Sequence, residues 1–166
     1  MHLDVEPFQE TLNASMCGPA ALKIVLGYYG TDETEESLAK LTSWERDLGA
    51  SAENIGRAAE SLGYKVEIKN NSTFSDIESW LERGVPVIVD WFTRGRDDYV
   101  SDINVPDGHY SVVCGLDDTH IYLQDPEIGG IRKLKRDSFE RAWFDFSGTL
   151  ISPDELIVRQ LIAIYK

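Results

Sequence analysis

The order of periodicities along the chain predicts an α+β fold, with N-terminal helices packed on a mostly antiparallel sheet. Helical spacing occupies the first third, strand-like alternation and short apolar runs dominate the rest, and three of those runs follow one another across tight turns. Helices gathered ahead of turn-linked strands belong to α+β architectures. The 166 residues can bury a sizeable core, and no linker, repeat or low-complexity tract divides them. A single domain over residues 1–166 is therefore expected.

Each element has its own signal. In "CGPAALKIVLGYYG", Pro19 suits a first helical turn, where its missing N–H would have had no partner; Leu22, Val25, Leu26 and Tyr29 recur at helical intervals, and Gly30 is a terminator. "ETEESLAKLTS" places acids in the first turn of a second helix, and "SAENIGRAAESLGY" opens a third at a Ser cap and closes it at Gly63. "YKVEIKN" alternates as a strand. "FSDIESWLERG" reads as a helix with a capping box from Ser75 to Glu78, and "VPVIVDWF" as a buried strand. "HYSVVCGLD", "HIYLQDP" and "GIRKLK" are three strands that turn at Asp117-Asp118 and at Gly129-Gly130. A helix capped by Asp137, with Glu140 three residues on, and one late strand in "LIVRQLIAIYK" complete the chain. The irregular stretch 93–108 is long for a compact domain, and such stretches are functional or mobile.

Composition excludes several functions. There are 29 acidic against 16 basic residues, a net charge of −13, and the longest basic cluster is "RKLKR", so phosphate backbones are repelled and nucleic acid is not expected as a partner. The same acidity keeps the protein in solution and favours basic peptides as ligands. "MHLDVEPFQE" has neither a basic n-region nor an apolar h-region, and no run approaches the roughly 18 apolar residues of a membrane span. A cytoplasmic protein without a membrane span is expected. There Cys17 and Cys114 stay reduced, and Cys114, inside a strand, reads as a buried bystander. The two cysteines with His2, His109 and His120 lack the paired spacing of a zinc site, so neither a metal nor another cofactor is expected. Asp97, Asp98, Asp102, Asn104 and Asp107 lack the positions of a cation loop and read as a solvated one. Trp44, Trp80, Trp91 and Trp143 sit beside apolar positions and read as core, with Trp91 and Phe92 also placed to wall a groove.

Cys17 stands at a helix start, where unpaired N–H groups and the macrodipole favour a thiolate; by position alone it is equally a small hydrophobe packed under the helix. Two other residues decide between these. His109 opens a strand beside the long irregular stretch, and Asp125 ends the next strand sixteen residues later. If the two strands pair across Asp117-Asp118, His109 and Asp125 come opposite each other at one end of the sheet. A carboxylate there fixes the histidine tautomer and stabilises the imidazolium, and the three together are the parts of a Cys-His-Asp nucleophilic site.

The ordered set "CGPAALKIVLGYYG", "AENIGRAAESLGY", "GVPVIV", "GHYSVVCGLD", "IYLQDPEIGG" and "SFERAW", within a similarity that runs from about Gln9 to Trp143, resembles the double-glycine peptidases, the papain-like processing domains of bacteriocin and peptide-pheromone exporters, and their free-standing relatives. The resemblance implies a papain-like cysteine peptidase with Cys17 as nucleophile, His109 as base and acid, and Asp125 as the residue that orients His109. It further implies an oxyanion hole built from the Cys17 N–H and an upstream Gln side chain. In that family the Gln stands six residues before the Cys; here Thr11 holds that place, Gln9 stands eight before, and Asn13 is a second candidate amide. Gln9 is the expected donor. The implied substrate is a peptide or protein with small residues such as Gly before the scissile bond. Acyl transfer on the same fold, and a peptide-binding module that has lost turnover, are the alternatives. Gly129-Gly130 within the chain reads as a hairpin turn and not as a cleavage site.

Overall fold

The computed structural model describes residues 1–93, 108–148 and 151–166. The five acid-loop residues named above fall in 94–107, outside the described residues.

Three helices come first: α1 (Cys17–Tyr28), α2 (Glu35–Leu41) and α3 (Ala52–Ser61). In α1 Ala20, Ala21, Leu22, Ile24, Val25 and Leu26 are all buried, so most of the helix surface is covered, and Lys23 on its open side reaches Asp32. Each fully buried Leu contributes about 2 kcal/mol from the area it removes from water. Gly30 takes φ 83 beyond the helix end, the left-handed conformation that a terminating glycine supplies. Thr34 caps α2 and Ser51 caps α3, each accepting from the backbone N–H three residues on.

The strands are β1 (Lys65–Lys69), β2 (Val87–Phe92), β3 (Gly108–Leu116), β4 (His120–Asp125), β5 (Gly130–Lys135), β6 (Phe144–Phe146), β7 (Leu156–Val158) and β8 (Gln160–Tyr165), with α4 (Phe74–Glu82) before β2 and α5 (Arg136–Ala142) after β5. Six of them form one antiparallel sheet in the order β1-β8-β2-β3-β4-β5, and β6 pairs with β7 separately. Period-two alternation gives each sheet face its own core. Ile88, Tyr110, Val112, Ile162 and Ile164 meet α1 and α3 on one side. Val87, Val89, Trp91, Val113 and Leu161 meet α4 and α5 on the other.

Four expectations need correction. The capping box of α4 is Thr73 with Asp76, not Ser75 with Glu78, because Thr73 is the residue with extended φ/ψ whose hydroxyl reaches the N3 N–H. Helix α5 begins at Arg136 without a side-chain cap, which leaves Asp137 in the first turn, where its charge still suits the macrodipole. The late strand is two: Arg159, at φ 46, breaks it, its N–H bonding Trp143 O at 2.9 Å, and only β8 enters the main sheet. Strand β6 was given no signal by the sequence.

Fourth, β3 and β4 do not pair in one continuous register. Leu116 faces Ile121 and Gly115 faces Tyr122, but Val113 faces Leu123 and Val112 faces Gln124, so Cys114 is the extra residue of a bulge. Continued, that register sets Ser111 opposite Asp125, with His109 on the diagonal rather than directly across. Without the bulge Val112 would face Asp125, and the carboxylate would emerge on the face away from His109.

Candidate active site

Cys17 is the first residue of α1, half-buried, with a free thiol. The turn before it is wound tightly: Asn13 has φ 59 and Ser15 φ 53, conformations that cost such residues of order 1 kcal/mol or more. Trp44 holds this turn in place. Its indole N–H is shared between Ala14 O at 2.9 Å and Ser15 O at 3.0 Å, so Trp44 is a clamp more than a core filler. The other three tryptophans are buried as expected.

His109 is the second residue of β3 and is 7 % exposed. Its Nε2 lies 2.5 Å from Asp125 Oδ1, which leaves Nδ1 as the nitrogen for the Cys17 thiol, and the two side chains are hydrogen-bonded. Burial works against a charge on the ring. The Asp125 carboxylate, and then the Cys17 sulfur, outweigh it, and the imidazolium is held well above the usual histidine range. Trp91 stands edge-on to the ring at 6.0 Å with its indole N–H on Ser111 Oγ, fully buried; it backs His109 and does not wall a groove. Phe92, half-buried, stacks on Phe144 at 5.0 Å.

Asp125 is fully buried. Burial pushes its carboxyl up, but His109 and Arg132 prevail and hold it well below the carboxylate range. Oδ1 also accepts the Glu127 N–H at 3.0 Å, and Oδ2 accepts Arg132 Nε at 2.5 Å. His109, Asp125 and Glu127 bring ligand atoms within 4.8 Å of one another, the geometry of a cation site. Arg132 already supplies the cation, reaching Asp125 and, at 3.6 Å, Glu127.

The segment leading to Cys17 is strapped on to the β4–β5 turn. Gln9 donates its Nε2 to Glu127 O at 2.5 Å, Glu10 N–H bonds Pro126 O at 2.9 Å, and Thr11 bonds Glu35 through both N–H and hydroxyl. Gly129, at φ 62, backs the Gln9 side chain closely: a Cβ there would stand 3.0 Å from Gln9 Cβ. The pair Gly129-Gly130 is a hairpin turn, as the sequence indicates. Gln9 therefore spends its amide on this turn in the present conformation.

Two acids not singled out from the sequence belong to the site. Glu10 is partly buried near His109 and Asp125, and burial above all pushes its carboxyl up to about 7. Asp90, 3 % exposed on β2, hydrogen-bonds Asp145 and lies within electrostatic reach of Cys17. Burial first, then the Asp145 charge, keeps Asp90 protonated well above the usual range. Asp145 in turn abuts Gly108: a Cβ on that glycine would fall inside the carboxylate. A lone acid within the apolar run "VPVIVDWF" was a legible signal for Asp90. Away from the site, Cys114 is buried, its thiol pushed up to about 11 by burial, and His2 packs edge-on to Tyr122 at 4.3 Å.

Comparison with solved structures gives the same architecture. The peptidase domain of Streptococcus ComA, a bi-functional ABC transporter involved in quorum sensing, superposes with a TM-score of 0.71 at 18% identity, covering 97% of this chain and 98% of that domain. A double glycine motif protease from an AMS/PCAT transporter, solved with its leader peptide, gives 0.70 at 20% identity, over 99% of this chain and 93% of that one. In sequence, the lactococcin-G-processing and transport ATP-binding protein LagD of Lactococcus lactis is 28% identical over 82% of this chain. An uncharacterized protein of Methanothermobacter marburgensis is 30% identical over 81% of this chain and 79% of its own length. The chain spans only 17% of LagD, and no helix among the described residues is long and apolar enough to cross a membrane. With residues 2–151 matching its family pattern, the chain belongs to the Peptidase_C39 like family.

Proposed function

We propose that this protein is a cysteine peptidase that cleaves a peptide amide bond with Cys17, His109 and Asp125, the whole of 1–166 serving as one peptidase domain in a compartment that keeps Cys17 reduced. The observation that carries the reading is the buried His109–Asp125 contact at 2.5 Å with the Cys17 thiol hydrogen-bonded to the same ring. The Cys17 thiolate attacks the carbonyl carbon, and the charge that develops on its oxygen is met by the N–H at the start of α1. His109 gives its Nδ1 proton to the departing amine as the C–N bond breaks. A water then attacks the thioester, losing its proton to His109, and the acid leaves with the Cys17 thiolate and the His109 imidazolium restored. Asp125 keeps the ring in place through both steps.

A structural neighbour described as a double glycine motif protease, solved with its leader peptide, supports a peptide substrate with small residues such as Gly before the scissile bond. The test is incubation with a peptide aldehyde ending in Gly-Gly and with the matching amide substrate. A hemithioacetal on Cys17, and cleavage abolished by Cys17→Ala, are expected; no adduct on Cys17 and cleavage retained in Cys17→Ala would overturn the mechanism. One observation favours the second reading, a peptide-binding module: Gln9 has its amide on Glu127 O. Tight peptide binding with no turnover in the wild type would establish that reading. Release of a hydroxamate when hydroxylamine is added would show that the acyl group can pass to an amine.

A further inference from the structure

Arg132 lies outside the three residues assigned to the chemistry, yet it holds half of the Asp125 carboxylate. Its place follows from the β4–β5 register. Gly130 stands directly opposite Asp125 and has no side chain, while Arg132 faces Leu123, one diagonal step away on the same face. From there Arg132 Nε meets Asp125 Oδ2 at 2.5 Å, and Nη2 lies 3.6 Å from Glu127 Oε2. The guanidinium is almost as buried as its partner, at 9 % against none of the Asp125 side chain exposed. A buried carboxylate of this kind can turn about its Cβ–Cγ bond unless both oxygens are held. Oδ1 is engaged by His109 and by the Glu127 N–H, and Oδ2 by Arg132. Nε–H points in one fixed direction from a planar fork, so it sets the carboxylate plane in a way that a lysine ammonium cannot.

We propose that Arg132 is a positioning residue of the active site: by holding Asp125 Oδ2 it aims Oδ1 at His109 and so keeps the imidazolium in register with Cys17. This rests on the triad reading above. The groups around the His109 ring are Asp125 on β4, Cys17 on α1, Asp90 on β2, and Glu10 on the N-terminal strap. Among the charges on His109, burial opposes the proton and Asp125 chiefly supports it. Loss of aim at Asp125 therefore lets burial prevail, and the His109 titration moves down. Simple loss of a nearby positive charge would move it up. The two effects have opposite signs, which makes the proposal separable from a purely electrostatic or structural role.

The experiment uses the whole chain as wild type, Arg132→Gln and Arg132→Lys. The His109 midpoint is read by NMR of the labelled imidazole, and Cys17 reactivity by iodoacetamide. Neither readout depends on the substrate. Arg132→Gln is expected to lower the His109 midpoint by about one unit or more and to slow Cys17 alkylation at neutral pH. If the protein cleaves peptides, its kcat falls roughly tenfold or more with KM within about twofold. Arg132→Lys, which keeps the charge and loses the fork, should fold even if Arg132→Gln does not, and should show a smaller fall in the same direction. A midpoint that rises or stays in place in either folded variant overturns the proposal. So does wild-type alkylation in Arg132→Lys. Failure of the peptidase reading itself would appear differently, as wild-type chain that alkylates at Cys17 and still cleaves nothing.

Discussion

Replacing Glu10 with Gln should stabilise the protein above neutral pH and leave it unchanged in acid. The Glu10 carboxyl is partly buried on the strap beside His109, Asp125, Glu127 and Glu35, and it is raised from 4.5 to about 7. Burial is the main cause; the neighbouring carboxylates add to it and His109 partly offsets it. The folded chain therefore binds this proton more tightly than the unfolded chain does. Below about pH 4.5 both states carry it, and the favourable difference is fully present; it is lost as pH rises through about 7 and is absent above. A gap of that size corresponds to about 3 kcal/mol at most. Because the side chain keeps partial contact with water and can turn outwards, about 1–2 kcal/mol is the expected gain for Glu10→Gln at pH 8. Urea unfolding of both proteins at pH 4.5 and pH 8 reads it directly: coincident midpoints in acid, a higher midpoint for the variant in base, and equal slopes. An equal shift at both pH values would show that Glu10 ionises as it does in water, and the strap would then exert no electrostatic load on the site.

Three further outcomes follow from the geometry. Asp125→Asn should lower turnover roughly 10²-fold or more, since an amide can hold the wrong imidazole tautomer, and should cost about 1–3 kcal/mol because Arg132 loses its charge partner; kinetics and thermal melting read the two separately. Gln9→Ala should reduce kcat roughly 10²-fold if its amide leaves Glu127 O to serve the oxyanion when substrate binds, whereas a loss confined to Asn13→Ala assigns the donor to Asn13. Gly108→Ala should displace the Asp145 carboxylate, and with it the entry to β3 at His109; full activity in a folded Gly108→Ala protein would mean that this approach is not needed.

The helices were legible because capping and spacing are local, and Cys17 was legible because Pro19 and the apolar run fix where α1 begins. Glu10 and Arg132 were not, since each reaches the site through pairing of segments far apart in sequence, and neither stands in a pattern that marks it. Trp44 misled in another way. Composition places an indole in a core, yet its N–H is shared by two carbonyls of the tight turn before Cys17. Thr73 with Asp76 and Ser75 with Glu78 have the same spacing, and only backbone dihedrals distinguish the two as caps.

The pairing of His109 with Asp125 shows how a sequence argument can reach the right face by a register that is not the real one. The hairpin turns later than Asp117-Asp118, so next to the turn the pairing is displaced by an odd number of residues from the expected one. An odd displacement alone would carry Asp125 to the opposite face of the sheet from His109. The bulge at Cys114 takes back one residue, the remaining displacement is even, and the two side chains meet on the same face along a diagonal. Gly115, an isolated glycine inside an otherwise apolar strand, was the available signal for that bulge. The fold thus spends an irregularity in β3, remote from the chemistry, to decide on which side of the sheet a carboxylate appears. A diagonal contact also asks more of Asp125 than a direct one, since the carboxylate must be aimed along the strand and not simply across it; the Arg132 fork and the Glu127 N–H are placed to supply that aim.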